Sequence, residues 1–353
     1  MDQQSALLEE IQQLQQKVQQ ATVPDELRLK VDQMITRLQR MVSLSSYTEE
    51  FERTSHYIDW IVSLPWDKKT QDVLDIQKTK DVFEKHHYGM QDVKDRFLEY
   101  VSVLVLNAKK QNTGSIIHAP VLLLHGLVGT GKTTFAYSLA EALGRKIVRI
   151  PFGGMSSAKD LRGQSRLHLE AEPGLIIKSL RQAGVRNPVI LLDEIDRVAD
   201  ETRGEIMGVL VELLDPEQNS AFSDNYMDYP FNLSEAIFLA TCNNTEKIAT
   251  AVFDRLEVIE MPSYTDREKI EIGRNYLFPK ALEESGLSKE QVAIADDLWP
   301  QIVRPLGFDA GIRTLQRTIK GVVRKAARQL VEGTVQGSVQ LSQTNIKEYL
   351  PSY

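Results

Sequence analysis

VLLLHGLVGTGKTT, Val121 to Thr134, is the stretch from which the rest of the chain is read. Val121 to Leu124 form a short continuous apolar run, the pattern of a strand buried on both faces. Gly126-Leu127-Val128-Gly129-Thr130-Gly131-Lys132-Thr133 follows and fits G-x-x-x-x-G-K-[ST]. Ala136, Leu139, Ala140 and Leu143 then recur at helical spacing, and Gly144 suits the end of that helix. Strand, glycine loop and helix in this order predict a phosphate-binding loop. Gly126, Gly129 and Gly131 free the backbone to turn its N–H groups, with the helix N-terminus, toward phosphate oxygens. Lys132 is placed to reach the β- and γ-phosphates, the Thr133 hydroxyl to ligate Mg²⁺, and Thr134 to continue the first helical turn. The loop from Gly126 to Thr134 is therefore the expected nucleotide cradle, with ATP and Mg²⁺ as its ligands.

A second signal lies downstream. Pro188 to Leu192 is another apolar strand, and it ends in Asp193-Glu194. Ligands of open α/β sheets bind beyond the carboxyl ends of the strands. There Asp193 suits a metal-holding role, directly or through water, and Glu194 suits a general base that polarises the attacking water. Further apolar strands are expected at Lys146 to Ile150, Ala236 to Thr241 and Leu256 to Met261, alternating with helices at Leu175 to Ala183 and Ile206 to Leu214. That alternation predicts an α/β fold with a parallel sheet covered on both faces. Pro151 to Gly174 reads as a long irregular loop, a feature that is usually functional.

Outward from this centre the pattern changes. Leu7, Ile11, Leu14 and Val18 recur in a short heptad seam, Thr22 to Asp25 breaks it, and Leu27, Val31, Met34, Leu38 and Met41 repeat it. These two helices read equally as an intermolecular arm or as a pair packed on their own domain. Further helices are expected at Thr48 to Leu64, Asp72 to Lys85 and Asp92 to Lys110, with a polar loop from Gln111 to Ala119. The adjacent His86 and His87 do not converge on one ion and so do not suggest a metal site. Beyond Pro262 the chain reads as helical throughout. Three parts follow: a helical arm over 1–64, an α/β nucleotide domain over 65–262 and an α-helical lid over 263–353.

The chain has 353 residues, 42% of them hydrophobic and 26% charged, an ordinary globular composition. A net charge of −7 gives no basic nucleic-acid footprint. The single cysteine, Cys242, excludes an internal disulfide framework and a cysteine-rich zinc site. No apolar run approaches the about 20 residues a membrane span needs. The N-terminal MDQQSALLEE has no signal-peptide character, so a cytoplasmic setting is expected.

The residues also resemble the Lon family of ATP-dependent proteases, within the AAA+ ATPases. The likeness rests on Tyr57 to Trp66, His87-Tyr88-Gly89, Gly153-Gly154-Met155, Arg162-Gly163, Pro173-Gly174, Leu213 to Asn219, Asp254 to Glu257 and Gly311-Ile312-Arg313, and it covers about residues 25–350. The resemblance implies that His87 and Tyr88 help cup the adenine. It implies that Asn243 is the sensor-1 residue that helps place the water, that Arg255 is an arginine finger given to a neighbour's γ-phosphate, and that Arg313 is the sensor-2 arginine of the lid. It further implies a homo-oligomeric ring, a hexamer, acting on protein substrates together with a protease domain or subunit. Two positions depart from the family. Leu127-Val128 stand where two prolines are usual, and His168-Leu169 stand where the central pore loop carries an aromatic-aliphatic pair. These residues include no counterpart of the family's Ser-Lys peptidase domain, so peptide-bond cleavage is not expected of this chain alone. Other readings of the same residues are a protein-remodelling ATPase without proteolysis and a nucleotide-switched interaction module with little turnover.

Overall fold

The computed structural model describes residues 3–43, 49–110, 120–168, 170–304, 311–335 and 337–350. Gln111 to Ala119, expected as a polar loop, and Leu169 lie outside them. In chain order the elements begin with the helices α1 (Gln3–Gln20), α2 (Asp25–Ser43), α3 (Glu49–Ser63), α4 (Ile76–His86) and α5 (Gln91–Lys110). Then come β1 (Val121–His125), α6 (Lys132–Leu143), β2 (Ile147–Pro151), α7 (Lys159–Arg162), α8 (Leu175–Ala183), β3 (Val189–Asp193) and α9 (Arg203–Leu214). They are followed by β4 (Phe222–Ser223), β5 (Pro230–Phe231), β6 (Ile237–Cys242), α10 (Thr250–Phe253) and β7 (Leu256–Glu260). The last stretch holds α11 (Asp266–Ile272), α12 (Phe278–Glu284), β8 (Val292–Ile294), α13 (Trp299–Val303), α14 (Arg313–Val331), β9 (Val339–Leu341) and α15 (Ile346–Tyr349).

The central sheet has five strands in the order β2-β3-β6-β1-β7, the α/β arrangement that the apolar runs predict. β2 pairs parallel with β3, and β3 with β6. Every residue of β3 and β6 is buried, which is why both read as unbroken apolar runs rather than as alternation. Packing divides the chain into two compact units. One comprises residues 1–75, 103–123 and 140–257, the other 76–102, 124–139 and 258–353.

In the first unit α1, α2 and α3 pack on one another. Ile11, Leu14 and Val18 are buried as the seam predicts, and Lys17 of α1 bonds Asp59 of α3 at 2.9 Å. In α2 the buried positions are Leu27, Val31, Ile35, Leu38 and Val42, with Met34 and Met41 only half-buried. The expected heptad stripe is thus widened by Ile35 and Val42, because this helix faces α1 and α3 rather than one partner.

In the second unit α4 and α5 enclose Phe83 and Phe97. α4 begins four residues later than Asp72, since the backbone N–H of Val73 bonds the carbonyl of Leu143 instead. The C-terminal helices share a core of Trp299, Ile302, Leu315, Ile319, Val322 and Val323. α11 opens with a capping box, in which Thr265 and Glu268 satisfy each other's backbone N–H groups. One wider turn, Gly273 to Leu277, then joins α11 to α12. β8 and β9 form a short parallel pair, Val292 opposite Val339, that the sequence did not announce.

Candidate functional site

The glycine loop belongs to the second unit. Gly129 and Gly131 have φ of +85° and +95°, conformations that an L side chain rarely adopts. The Thr130 hydroxyl donates to the Leu127 carbonyl at 2.9 Å and closes the loop. α6 starts at Lys132, so Thr133 and Thr134 occupy the helix's first turn. The Lys132 ammonium folds back over the loop, donating to the carbonyls of Gly126 at 2.6 Å and Leu127 at 2.9 Å. Leu127 and Val128 are exposed on the loop, so the residues standing where prolines are usual carry no core. The backbone N–H of Ile312 donates to the Gly129 carbonyl at 3.1 Å, which brings the start of α14, and with it Arg313, against the loop. Tyr264 donates its hydroxyl to the Thr130 carbonyl at 3.4 Å. Burial pushes its phenol up to about 12.

His87 and Tyr88 behave differently. The His87 ring is buried and stacks on Phe135 of α6, with ring centroids 3.6 Å apart and planes at 15°. Its Nε2 lies 2.9 Å from the Ser138 hydroxyl. Burial first, then the charges of His86 and Lys94, lower its pKa to about 3, so the ring is neutral near pH 7. His87 therefore fixes the His87-Tyr88-Gly89 turn to α6 through the core, while Tyr88 is exposed. Beside this turn lies a cavity of about 710 Å³ lined by Met90, Gln91, Met261, Ser263, Tyr264 and Glu268 among others.

The carboxylates belong to the first unit. Asp193 ends β3 and is buried. Its Oδ1 accepts the Thr241 hydroxyl at 2.6 Å, and its Oδ2 lies 2.6 Å from both Nε and Nη2 of Arg149 on β2. The same Thr241 oxygen accepts the backbone N–H of Glu194 at 2.8 Å. Glu194 takes a left-handed backbone conformation, φ +58°, and its Oε2 lies 3.2 Å from Arg197. One buried hydroxyl thus links both acids to β6. Asp196 accepts the backbone N–H groups of Asn243 and Asn244, each at 3.1 Å, and so fixes the turn that carries Asn243. Arg255, after α10, donates to the Ala251 carbonyl at 2.7 Å and lies 3.1 Å from Asp215. That hydrogen bond from Arg255 holds the Asp215 carboxyl below its usual range.

The second unit thus gathers the glycine loop, Arg313 and Tyr264, and the first gathers Asp193, Glu194 and Asn243. Sequence reasoning missed Arg149, Asp196, Asp215 and Thr241. For Thr241 a signal existed. It is the polar end of an apolar strand, and the ladder that pairs Leu192 with Ala240 carries it beside Asp193. The hard oxygen donors of Asp193 and the Thr133 hydroxyl are of the chemistry Mg²⁺ takes. Among the described residues no helix is long and apolar enough to cross a membrane.

Residues 122–264 match the model of the ATPase family associated with various cellular activities (AAA). Residues 283–339 match that of the Lon protease AAA+ ATPase lid domain. The chain is 43% identical to a Lon protease of Lawsonia intracellularis over 90% of its own length and 37% of that protein's. It is 41% identical to Lon protease 2 of Thermus thermophilus over 90% of its length and 40% of the relative's, and 38% identical to Lon protease 1 of Bacillus subtilis over 89% and 39%. The chain thus spans well under half the length of these relatives.

Proposed function

Because the chain belongs to the Lon-type AAA+ ATPases, with an AAA domain followed by a Lon-type lid, we propose that it binds ATP with Mg²⁺ and hydrolyses it to ADP and phosphate. The observation that carries this reading is the glycine loop: two glycines at positive φ deliver the backbone to a helix that opens on Lys132 and Thr133. Gly126 to Thr134 cradle the phosphates, and the Tyr88-Gly89 turn, pinned by His87, borders the base. Thr133 and Asp193 hold Mg²⁺, which when bound neutralises charge on the β- and γ-phosphates. Glu194 takes the proton of the attacking water, and Asn243 helps to place that water. Arg313 senses the nucleotide from the lid, and Arg255 serves the nucleotide of a neighbouring copy.

The three-part division at 64/65 and 262/263 goes with this reading, as do a homo-oligomeric ring, a hexamer, and a cytoplasmic setting. The ring couples hydrolysis to the handling of protein substrates, by analogy with relatives named as proteases, and works with a protease domain or subunit. Steady-state ATP turnover per chain, measured against protein concentration, tests the reading. Turnover is expected to rise with concentration and to vanish in Glu194→Gln while ATP binding persists. ATP binding with negligible turnover at every concentration would replace it with a nucleotide switch.

A further inference from the structure

Arg149 has no part in the roles above, yet its guanidinium is bound to the carboxylate assigned to the metal. β2 alternates buried and outward residues, Val148 and Ile150 in, Arg149 out. The β2–β3 register sets Pro151 opposite Asp193, so Arg149 starts one pleat earlier and its side chain runs along the strand to reach Oδ2. Two of its nitrogens lie 2.6 Å from that oxygen, a charge-assisted contact. Asp193 is 5% exposed at its side chain and Arg149 48%, so the acid is fixed and the arginine has open solvent to move into.

The electrostatics follow. A buried carboxylate is costly without a partner, and Arg149 supplies a monovalent one. A divalent ion on the same oxygen would stand within a few ångströms of a guanidinium, and the two cations repel strongly at low dielectric. Both cannot hold Oδ2. A metal ion alone must displace an existing ion pair. A metal arriving with a nucleotide brings compensating negative charge, which also gives the released guanidinium something to face.

We propose that Arg149 is a built-in counter-ion that keeps Asp193 closed to free divalent metal and yields it to the metal–nucleotide complex. Arg149 is then a positioning residue for metal loading, and this rests on the reading of Asp193 as the metal's carboxylate. The test uses Mn²⁺ as the probe. Free Mn²⁺ is counted by its paramagnetic resonance signal, with and without ADP, for the unaltered chain, Arg149→Gln, Arg149→Lys and Asp193→Asn. Arg149→Gln is expected to bind Mn²⁺ about tenfold more tightly without ADP and to shrink the gain that ADP gives. Arg149→Lys, which keeps the charge, is expected to stay near the unaltered chain. Unchanged or weaker Mn²⁺ binding in Arg149→Gln, alongside an Asp193→Asn variant that loses the metal, overturns the role of Arg149 alone. Mn²⁺ binding untouched in Asp193→Asn overturns the assignment of Asp193 and this inference with it.

A measurement on the unaltered chain guards against a variant that folds poorly. The ¹⁵N resonance of the Arg149 Nε–H reports its hydrogen bond. It is expected to move toward the position of a solvated arginine when Mg²⁺ and ADP are added together, and to stay in place with Mg²⁺ alone at the same concentration. A resonance that does not move with both overturns the displacement.

Discussion

His87 shows how much one side chain can do away from the chemistry. Its ring lies between α4 and α6 in a stack with Phe135, whose other neighbour Phe97 is nearly parallel to it, at 5.6 Å and 6°. The neutral form is what fits there, so the folded pKa of about 3 lies below the ordinary value of 6.5. The unfolded chain then binds a proton between those two values that the folded chain refuses. Stability from this group is full above about pH 6.5 and falls as pH drops toward 3. Between pH 6.5 and pH 5 the loss is expected to be about 1.5 kcal/mol. Urea unfolding of the intact chain against His87→Gln, at both pH values, checks it: the variant should lose that share of the slope. Equal slopes in the two chains would mean the ring titrates freely. At this scale the sequence was legible in placement: Lys132 and Thr133 open a helix after the glycine loop, and Asp193 ends a buried strand with Glu194 after it, as their local spacing predicts. It was silent on Arg149, because what makes that residue matter is register between strands dozens of residues apart, and it offered Thr241 only as the polar end of an apolar strand. It was silent on the burial of His87 because an aromatic stack gathers α4, α5 and α6, which no single period reveals.

Among the elements, the segment Gly163 to Gly174 is built as a loop with a closed neck. The Gly163 N–H bonds Lys159, and Gln164 bonds the Glu172 carbonyl at 3.1 Å. The buried Asp224 carboxylate accepts N–H groups from Gly174, Tyr226 and Met227. Burial raises its pKa while those three bonds oppose the rise. Gly174 is needed here for space rather than for its backbone angle. A Cβ would stand 2.0 Å from the Leu161 carbonyl oxygen, and φ is an ordinary −71°. Gly174→Ala must push two backbone segments apart, and is expected to destabilise the chain by about 2–3 kcal/mol in urea unfolding. Gly204→Ala, in α9 with open space around it, serves as the control and should be neutral or mildly stabilising. If both variants unfold alike, the neck has slack that the contacts do not suggest. Longer elements were legible because apolar residues repeat in them: α8 occupies the span predicted for it. The two-residue strands β4 and β5 and the three-residue β8 and β9 were not, since a period cannot be read from so few positions. His168 is exposed on the loop that this neck closes.

For the molecule as a whole, two motifs and one change of pattern were enough to place the chain among α/β nucleotide-binding folds with a helical C-terminal part. The packing division was less legible. Residues 76–102 pack with 124–139 and 258–353 because Phe83 and Phe97 bury against Phe135, a long-range apolar contact with no local signature. The role proposed for Arg255 belongs to the level of assembly. Within this chain its guanidinium is held by Asp215 and the Ala251 carbonyl, both near it in the first unit, and it remains partly exposed. Its two terminal nitrogens, Nη1 and Nη2, are the held atoms, and each keeps a second N–H for a further acceptor, so the bonds to Ala251 and Asp215 pre-orient the guanidinium. If it acts in trans, the two defects Arg255→Ala and Glu194→Gln fall on different sides of one interface. Each variant alone is expected to lose turnover by about a hundredfold or more, in line with the weight an arginine finger carries in related phosphoryl transfer. Mixed in equal amounts, they should form some interfaces in which an intact Glu194 from one chain meets an intact Arg255 from the next. Turnover of the mixture should then exceed that of either variant alone, and the gain should grow with concentration as mixed rings form. An arginine working on its own chain's nucleotide forbids this, because every chain in the mixture would still carry one lethal defect. A mixture no more active than its components, under conditions where the unaltered chain shows concentration-dependent turnover, would therefore move Arg255 from the neighbour's site to its own.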